Sequence, residues 1–167
     1  MKSACKSGRR GFTLVETLVT IGISTSVIVA LLSVYITCLR YWRQSMLAVQ
    51  TTQEANHCLS QMIYGVGSNS GLRASYAITN LGTTADWQFR SSNYNGVAWY
   101  DFNTAQQTVL YSNAAGRQVI GTNIVSSSAT ATVNTIQISL TVLKTDGGYS
   151  QSNTVSTFVK LRTASTR

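Results

Sequence analysis

The chain has 167 residues, of which 44% are hydrophobic, so it has the size of about one domain and enough apolar material for a core; size alone excludes little. The formal charge of +8 raises nucleic acid or an anionic membrane as a partner. However, Lys2, Lys6, Arg9 and Arg10 hold much of that charge, and the scatter of Arg73, Arg90, Arg117, Lys144, Lys160 and Arg162 gives no nucleic-acid footprint. DNA is left open as a partner but is not indicated.

The first eleven residues form a basic leader without an acidic side chain. Cys5 lies within it with no apolar stretch ahead, which argues against a lipoprotein signal. Glu16 follows, a carboxylate at the head of a long apolar run. An ionisable group inside a membrane helix is expensive and points to function. Thr13 with Glu16 also fits the S/T-x-x-E helix start, where both the cap and the helix dipole favour an anion.

From Thr17 to Leu39 the sequence contains no charge and no proline. These roughly 23 residues make about 35 Å of helix, enough to cross a hydrocarbon core of about 30 Å. Secretory signal peptides have shorter apolar cores, about 7 to 15 residues. Basic residues ahead of the span favour an N-in, C-out orientation, and Tyr35, Tyr41 and Trp42 read as an interfacial aromatic anchor or as packing residues.

Beyond Leu39 the pattern becomes amphipathic. Leu39, Trp42, Met46 and Val49, then Ala55, Leu59, Met62, Ile63 and Val66, recur at helical spacing. The helix is expected to reach about Tyr64, where Gly65, Gly67 and the run Ser68 to Gly71 open a loop. Without proline the helix has no proline kink.

If this segment is helical, Cys38 and Cys58 lie about 30 Å apart, too far for a bridge that needs Cα atoms within about 7 Å. Cys38 reads as a small apolar residue of the membrane helix, and Cys58 as the thiol available to pair between subunits.

The remainder predicts short strands over 87–90, 97–102, 108–111, 118–124, 135–143 and 155–162. Alternation is clearest in Ile136, Ile138, Leu140 and Val142, which predicts one buried face against the helix. Asp146-Gly147-Gly148 supplies positive-φ positions for the last turn. The fold expected is α+β: a long N-terminal helix packed on a C-terminal antiparallel sheet.

Catalytic patterns are missing. His57 is the one histidine, which leaves no His-based metal cluster or Ser-His-Asp triad, and it reads as a surface residue of the helix. Asp86, Asp101 and Asp146 are expected near turns, where Asp bonds locally. Asp101 with Asn103, or Asp146 with carbonyls, could only begin a calcium site. Trp87, Trp99 and Tyr100 are expected in packing rather than in an exposed recognition patch. No cofactor, metal or enzymatic activity is expected.

The run Arg9-Arg10-Gly11-Phe12-Thr13-Leu14-Val15-Glu16 resembles the signal of type IV prepilins and type II secretion pseudopilins: a basic leader ending in Gly, then Phe-Thr-Leu-x-Glu opening an apolar helix. The resemblance implies that a membrane prepilin peptidase cuts on the cytoplasmic side after Gly11 and methylates the new amine of Phe12. Glu16 then neutralises a neighbouring subunit's amine during assembly. The implied organisation is a leader over 1–11, a membrane and assembly segment over 12–39, an amphipathic helical segment over 40–66 and a β-rich periplasmic domain over 67–167. Implied partners are the peptidase, other pilin or pseudopilin subunits, an inner-membrane assembly platform and, before assembly, lipid. The implied location is the bacterial inner membrane, single-pass, and then a filament or the cell surface. Gln53 to Leu72 is similar to W-type minor pilins and, more loosely, to J-type minor pseudopilins. A filament-tip module binding DNA, an exported protein or a surface ligand is the alternative reading.

Overall fold

The computed structural model describes residues 11–67, 71–80, 86–93, 96–132 and 135–161. The chain divides into two compact units, Met1–Arg43 and Gln44–Arg167. Helix α1 runs without interruption over Leu14–Tyr64, ending where the amphipathic pattern ends; a 3-10 turn follows at Leu72–Ala74. Eight strands complete the order: β1 Ala77–Asn80, β2 Gln88–Asn93, β3 Gly96–Asn103, β4 Thr108–Asn113, β5 Gly116–Gly121, β6 Ile124–Ala131, β7 Thr135–Asp146 and β8 Tyr149–Lys160.

In the first unit, the described side chains of the apolar run are exposed throughout, including Val15, Leu18, Ile21, Ile28 and Leu32. This stretch of α1 is long and apolar enough to cross a membrane. Most of its Ser and Thr hydroxyls are satisfied inside the helix. Thr17 Oγ1 donates to Leu14 O (2.8 Å), Thr25 Oγ1 to Ile21 O (2.7 Å), Ser26 Oγ to Gly22 O (2.8 Å), Ser33 Oγ to Ala30 O (2.7 Å) and Thr37 Oγ1 to Ser33 O (2.8 Å). That back-bonding lowers the cost of placing polar residues in an apolar run, because a hydroxyl already bonded to the helix has less to lose on leaving water.

In the second unit, α1 turns one stripe inward. Leu47, Thr51, Ala55, Cys58, Leu59 and Met62 are buried at helical spacing. The stripe meets two antiparallel sheets, one ordered β1-β2-β3-β4-β5 and one ordered β6-β7-β8. Ile136, Ile138, Leu140 and Val142 of β7 are fully buried, as their alternation requires. Trp87, Phe89, Tyr100 and Phe102 stack through the middle of the core, with Trp87 and Phe89 centroids 4.9 Å apart and Phe89 and Tyr100 5.2 Å apart. Each polar tip finds an acceptor: Trp87 Nε1 donates to Ser127 Oγ (2.9 Å) and Tyr100 Oη to Met62 O (3.3 Å).

Several expectations need correction. The single sheet is two, β1 lies outside the predicted strands, and β6 shares only Ile124 with one of them. A strand over 118–124 is broken at Asn123, whose φ of 59° turns the chain from β5 in the first sheet to β6 in the second; Asn accepts the left-handed region better than most residues. Cys58 is 1% exposed and faces Gly121, where an added Cβ would lie 2.6 Å from its Sγ, so it is a core side chain rather than a thiol for pairing between subunits. Asp101 is inside β3 and pairs with Arg117 at 3.1 Å instead of serving a turn. The Gly147-Gly148 turn is as expected, with φ of 54° and 83° between the paired residues Asp146 and Tyr149.

Candidate functional site at the head of the helix

Gly11, Phe12 and Thr13 precede α1 in non-helical conformation. Thr13 is the cap: its Oγ1 accepts from Glu16 N at 3.3 Å and its carbonyl accepts from Thr17 N at 3.2 Å. The first bond satisfies a donor that the opening turn would otherwise leave bare, and the second is the first regular bond of the helix. Glu16 thus occupies the third helical position, where the dipole favours a carboxylate. Its own backbone carbonyl accepts the hydroxyl of Thr20, which ties the following turn to it. Among the described residues no cation pairs with Glu16; the described ion pairs are Arg117–Asp101 and Lys144–Glu54.

Phe12 is 75% exposed, and Glu16 is exposed one helical turn further on. Gly11 is open as well. A Cβ built there meets nothing within 4 Å among the described residues, and its φ is outside the left-handed region, so the described part of the fold makes no demand for glycine at this position. Lys2, Lys6, Arg9 and Arg10, with Cys5, lie outside the described residues.

Residues 6–32 match a family model described as the prokaryotic N-terminal methylation motif. The chain therefore carries a prepilin-type signal. No curated protein and no solved structure matches the chain. The methylation motif spans Gly11, Phe12, Glu16 and much of the apolar segment, and stops short of the β-rich unit. With the apolar helix behind it, the motif fits membrane anchoring.

The remaining candidate residues do not converge on a second site. His57 is exposed on α1 with its Nε2 3.1 Å from Gln61 Nε2, as a surface histidine would be. Glu54 and Lys144 pair at 2.6 Å beside it. Among the described residues no three His, Cys, Asp or Glu side chains gather as metal ligands. Asn103 Oδ1 instead accepts from Gln106 N at 2.9 Å. Asp86 accepts from both the hydroxyl and the backbone N–H of Thr104, at 2.7 and 2.8 Å, and these bonds, the hydroxyl first, hold its carboxyl below the usual range. Burial pushes the Cys58 thiol up to about 12. Burial, reinforced by Tyr111, also raises Tyr100.

Of the three aromatic residues considered as a patch, Trp87 and Tyr100 are core. Trp99 is half-buried on the other face of β3, where the Arg90 guanidinium lies 5.6 Å from its ring centroid, so it packs on the sheet face rather than in the core. The sequence holds the signal that separates them: Ala98, Tyr100 and Phe102 alternate with Val97, Trp99 and Asp101, and only the first set can share the apolar face.

Proposed function

We propose that this chain is the precursor of a filament subunit of the type IV pilin or type II secretion pseudopilin kind, cut after Gly11, methylated on Phe12 and assembled through α1. The observation that carries the reading is the methylation motif over residues 6–32, with an open glycine immediately ahead of the capped helix. Since nothing among the described residues crowds Gly11, a requirement for glycine there belongs to an enzyme that must close around the backbone. Cleavage removes Lys2, Lys6, Arg9 and Arg10 and leaves one amine at Phe12. That amine on a neighbouring, axially staggered subunit is the partner for Glu16, and in a low-dielectric filament core mispairing is costly enough to specify register.

On this reading the chain starts as a single-pass inner-membrane protein, N-terminus cytoplasmic, with residues 67–167 periplasmic. It acts by assembly, not catalysis, and its partners are the peptidase, fellow subunits and the assembly platform. A W-type or J-type subtype rests on the resemblance of Gln53 to Leu72 alone. Mass spectrometry of the native polypeptide tests the core of the proposal: the expected N-terminus is N-methylated Phe12. An intact initiator end, or a cut elsewhere, defeats it.

A further inference from the structure

The two sheets end in four edges, and three of them carry a device that discourages pairing with another chain. β1 has four residues. β5 bears Arg117 and meets β4 across a register shift at Val109/Leu110. β6 meets β7 across a register shift at Ile124/Ser126. β8 differs. It has twelve residues, is paired with β7 without a shift from Tyr149 to Lys160, and contains one charge, Lys160, at its end. Among the described residues no strand pairs with its other side; the 3-10 turn approaches only near Lys160 and Leu161, where Arg73 and Ala74 line the same cavity.

The turn fixes which backbone groups face that open side. Asp146 and Tyr149 flank a two-residue turn, so they form a hydrogen-bonded pair, and bonded and non-bonded pairs alternate from there. Tyr149, Gln151, Asn153, Val155 and Thr157 therefore bond to β7. Ser150, Ser152, Thr154, Ser156 and Phe158 direct their N–H and C=O groups outward. The side chains tell the same story of incompleteness: Val155 and Thr157 are only half-buried, while their β7 neighbours Leu140 and Ile138 are fully buried.

We propose that β8 is a docking edge for one extended, uncharged segment of a different polypeptide in the same filament, added as a fourth strand to this sheet; this rests on the filament reading. Alternating donors and acceptors over such a length are complementary to another strand and to little else. A second copy of this chain is the wrong occupant. Its other edges are guarded, so it could offer only its own β8, and the resulting antiparallel pair has a two-fold axis normal to the sheet. That axis reverses everything lying along the sheet, including the Gln44–Tyr64 part of α1, whereas subunits that enter from one membrane must point the same way.

A photo-crosslinking amino acid placed at Ser152 or at Ser156 of the full chain, in cells assembling filaments, tests this. The expected result is that both positions crosslink to one segment of another subunit, at residues about four apart, because strands in register advance together. Crosslinks to this chain itself, crosslinks without that spacing, or none at all overturn the proposal. Ser156→Pro removes an outward N–H and leaves the β7 ladder intact; it should keep the melting temperature in detergent and lower the Ser152 crosslink by about tenfold or more. Val155→Pro breaks the ladder and should lower the melting temperature. Thr154→Lys, which adds a charge to the edge, should weaken the Ser156 crosslink; wild-type crosslinking by both Ser156→Pro and Thr154→Lys overturns the docking edge. Sheared filaments from the same cells separate the two levels: a chain absent from them overturns both readings, and a chain present in them without β8 crosslinks overturns only this one.

Discussion

Gly11 and Glu16 sit five residues apart and carry different physical demands. Gly11 is unconstrained by the described residues, so Gly11→Phe should leave the helix cap and the fold untouched while blocking cleavage; an immunoblot should show only the precursor size. Glu16 bonds to the cap through its backbone N–H, which Glu16→Ala retains. That variant should be processed to the mature size yet be depleted from sheared filaments, and normal incorporation would refute the charge-pairing role. Cys58 makes a contrasting case. Its thiol is pushed up to about 12 by burial, so the neutral form is favoured in the folded state. The associated stability is full below the ordinary value of 9.0 and is lost as pH rises from there towards about 12. Alkylation of Cys58 by iodoacetamide should therefore be slow in the native protein at pH 8 and fast after unfolding.

At the scale of elements, two glycines hold close approaches that side chains would spoil. A Cβ on Gly121 would fall 2.6 Å from Cys58 Sγ and 2.7 Å from Ile124 Cδ1, so β5 runs against α1 with no room between them. Gly121→Ala should cost about 1–3 kcal/mol by overpacking, measured by denaturant unfolding, and Cys58→Ala in the same chain should recover part of it. Full additivity of the two substitutions would show that they do not share this contact. A Cβ on Gly71 would instead meet the backbone of Ile63 and Gly65, which cannot swing aside as a side chain can. Gly71→Ala should be the more damaging of the two, because the loop must leave the end of α1.

For the whole molecule, the division into Met1–Arg43 and Gln44–Arg167 separates an exposed apolar stretch of helix from the part that holds a core. The described buried residues all belong to the second unit, so a chain starting at Gln44 should fold in water with a cooperative melt and the near-ultraviolet circular dichroism of the full protein, and should not partition into vesicles. The sequence by itself determined the basic composition of the N-terminal run, the motif around Gly11, the length and composition of the apolar helix, its end near Tyr64 and the Gly147-Gly148 turn. Each of these is a local matter of charge, periodicity or backbone freedom, readable within one stretch of chain. Tertiary structure alone decided the rest. The strand Ile124–Ala131 is mostly Ser, Ala and Thr and becomes a strand by pairing with β7, not by its own apolar pattern. The break at Asn123 depends on where two sheets part. Cys58 is buried and Trp99 half-buried because of what α1 and the sheets place around them, and among the described residues β8 is an open edge because of the order in which the strands assemble. Burial and pairing are properties of neighbours distant in sequence, and a single chain read in order carries no direct record of them.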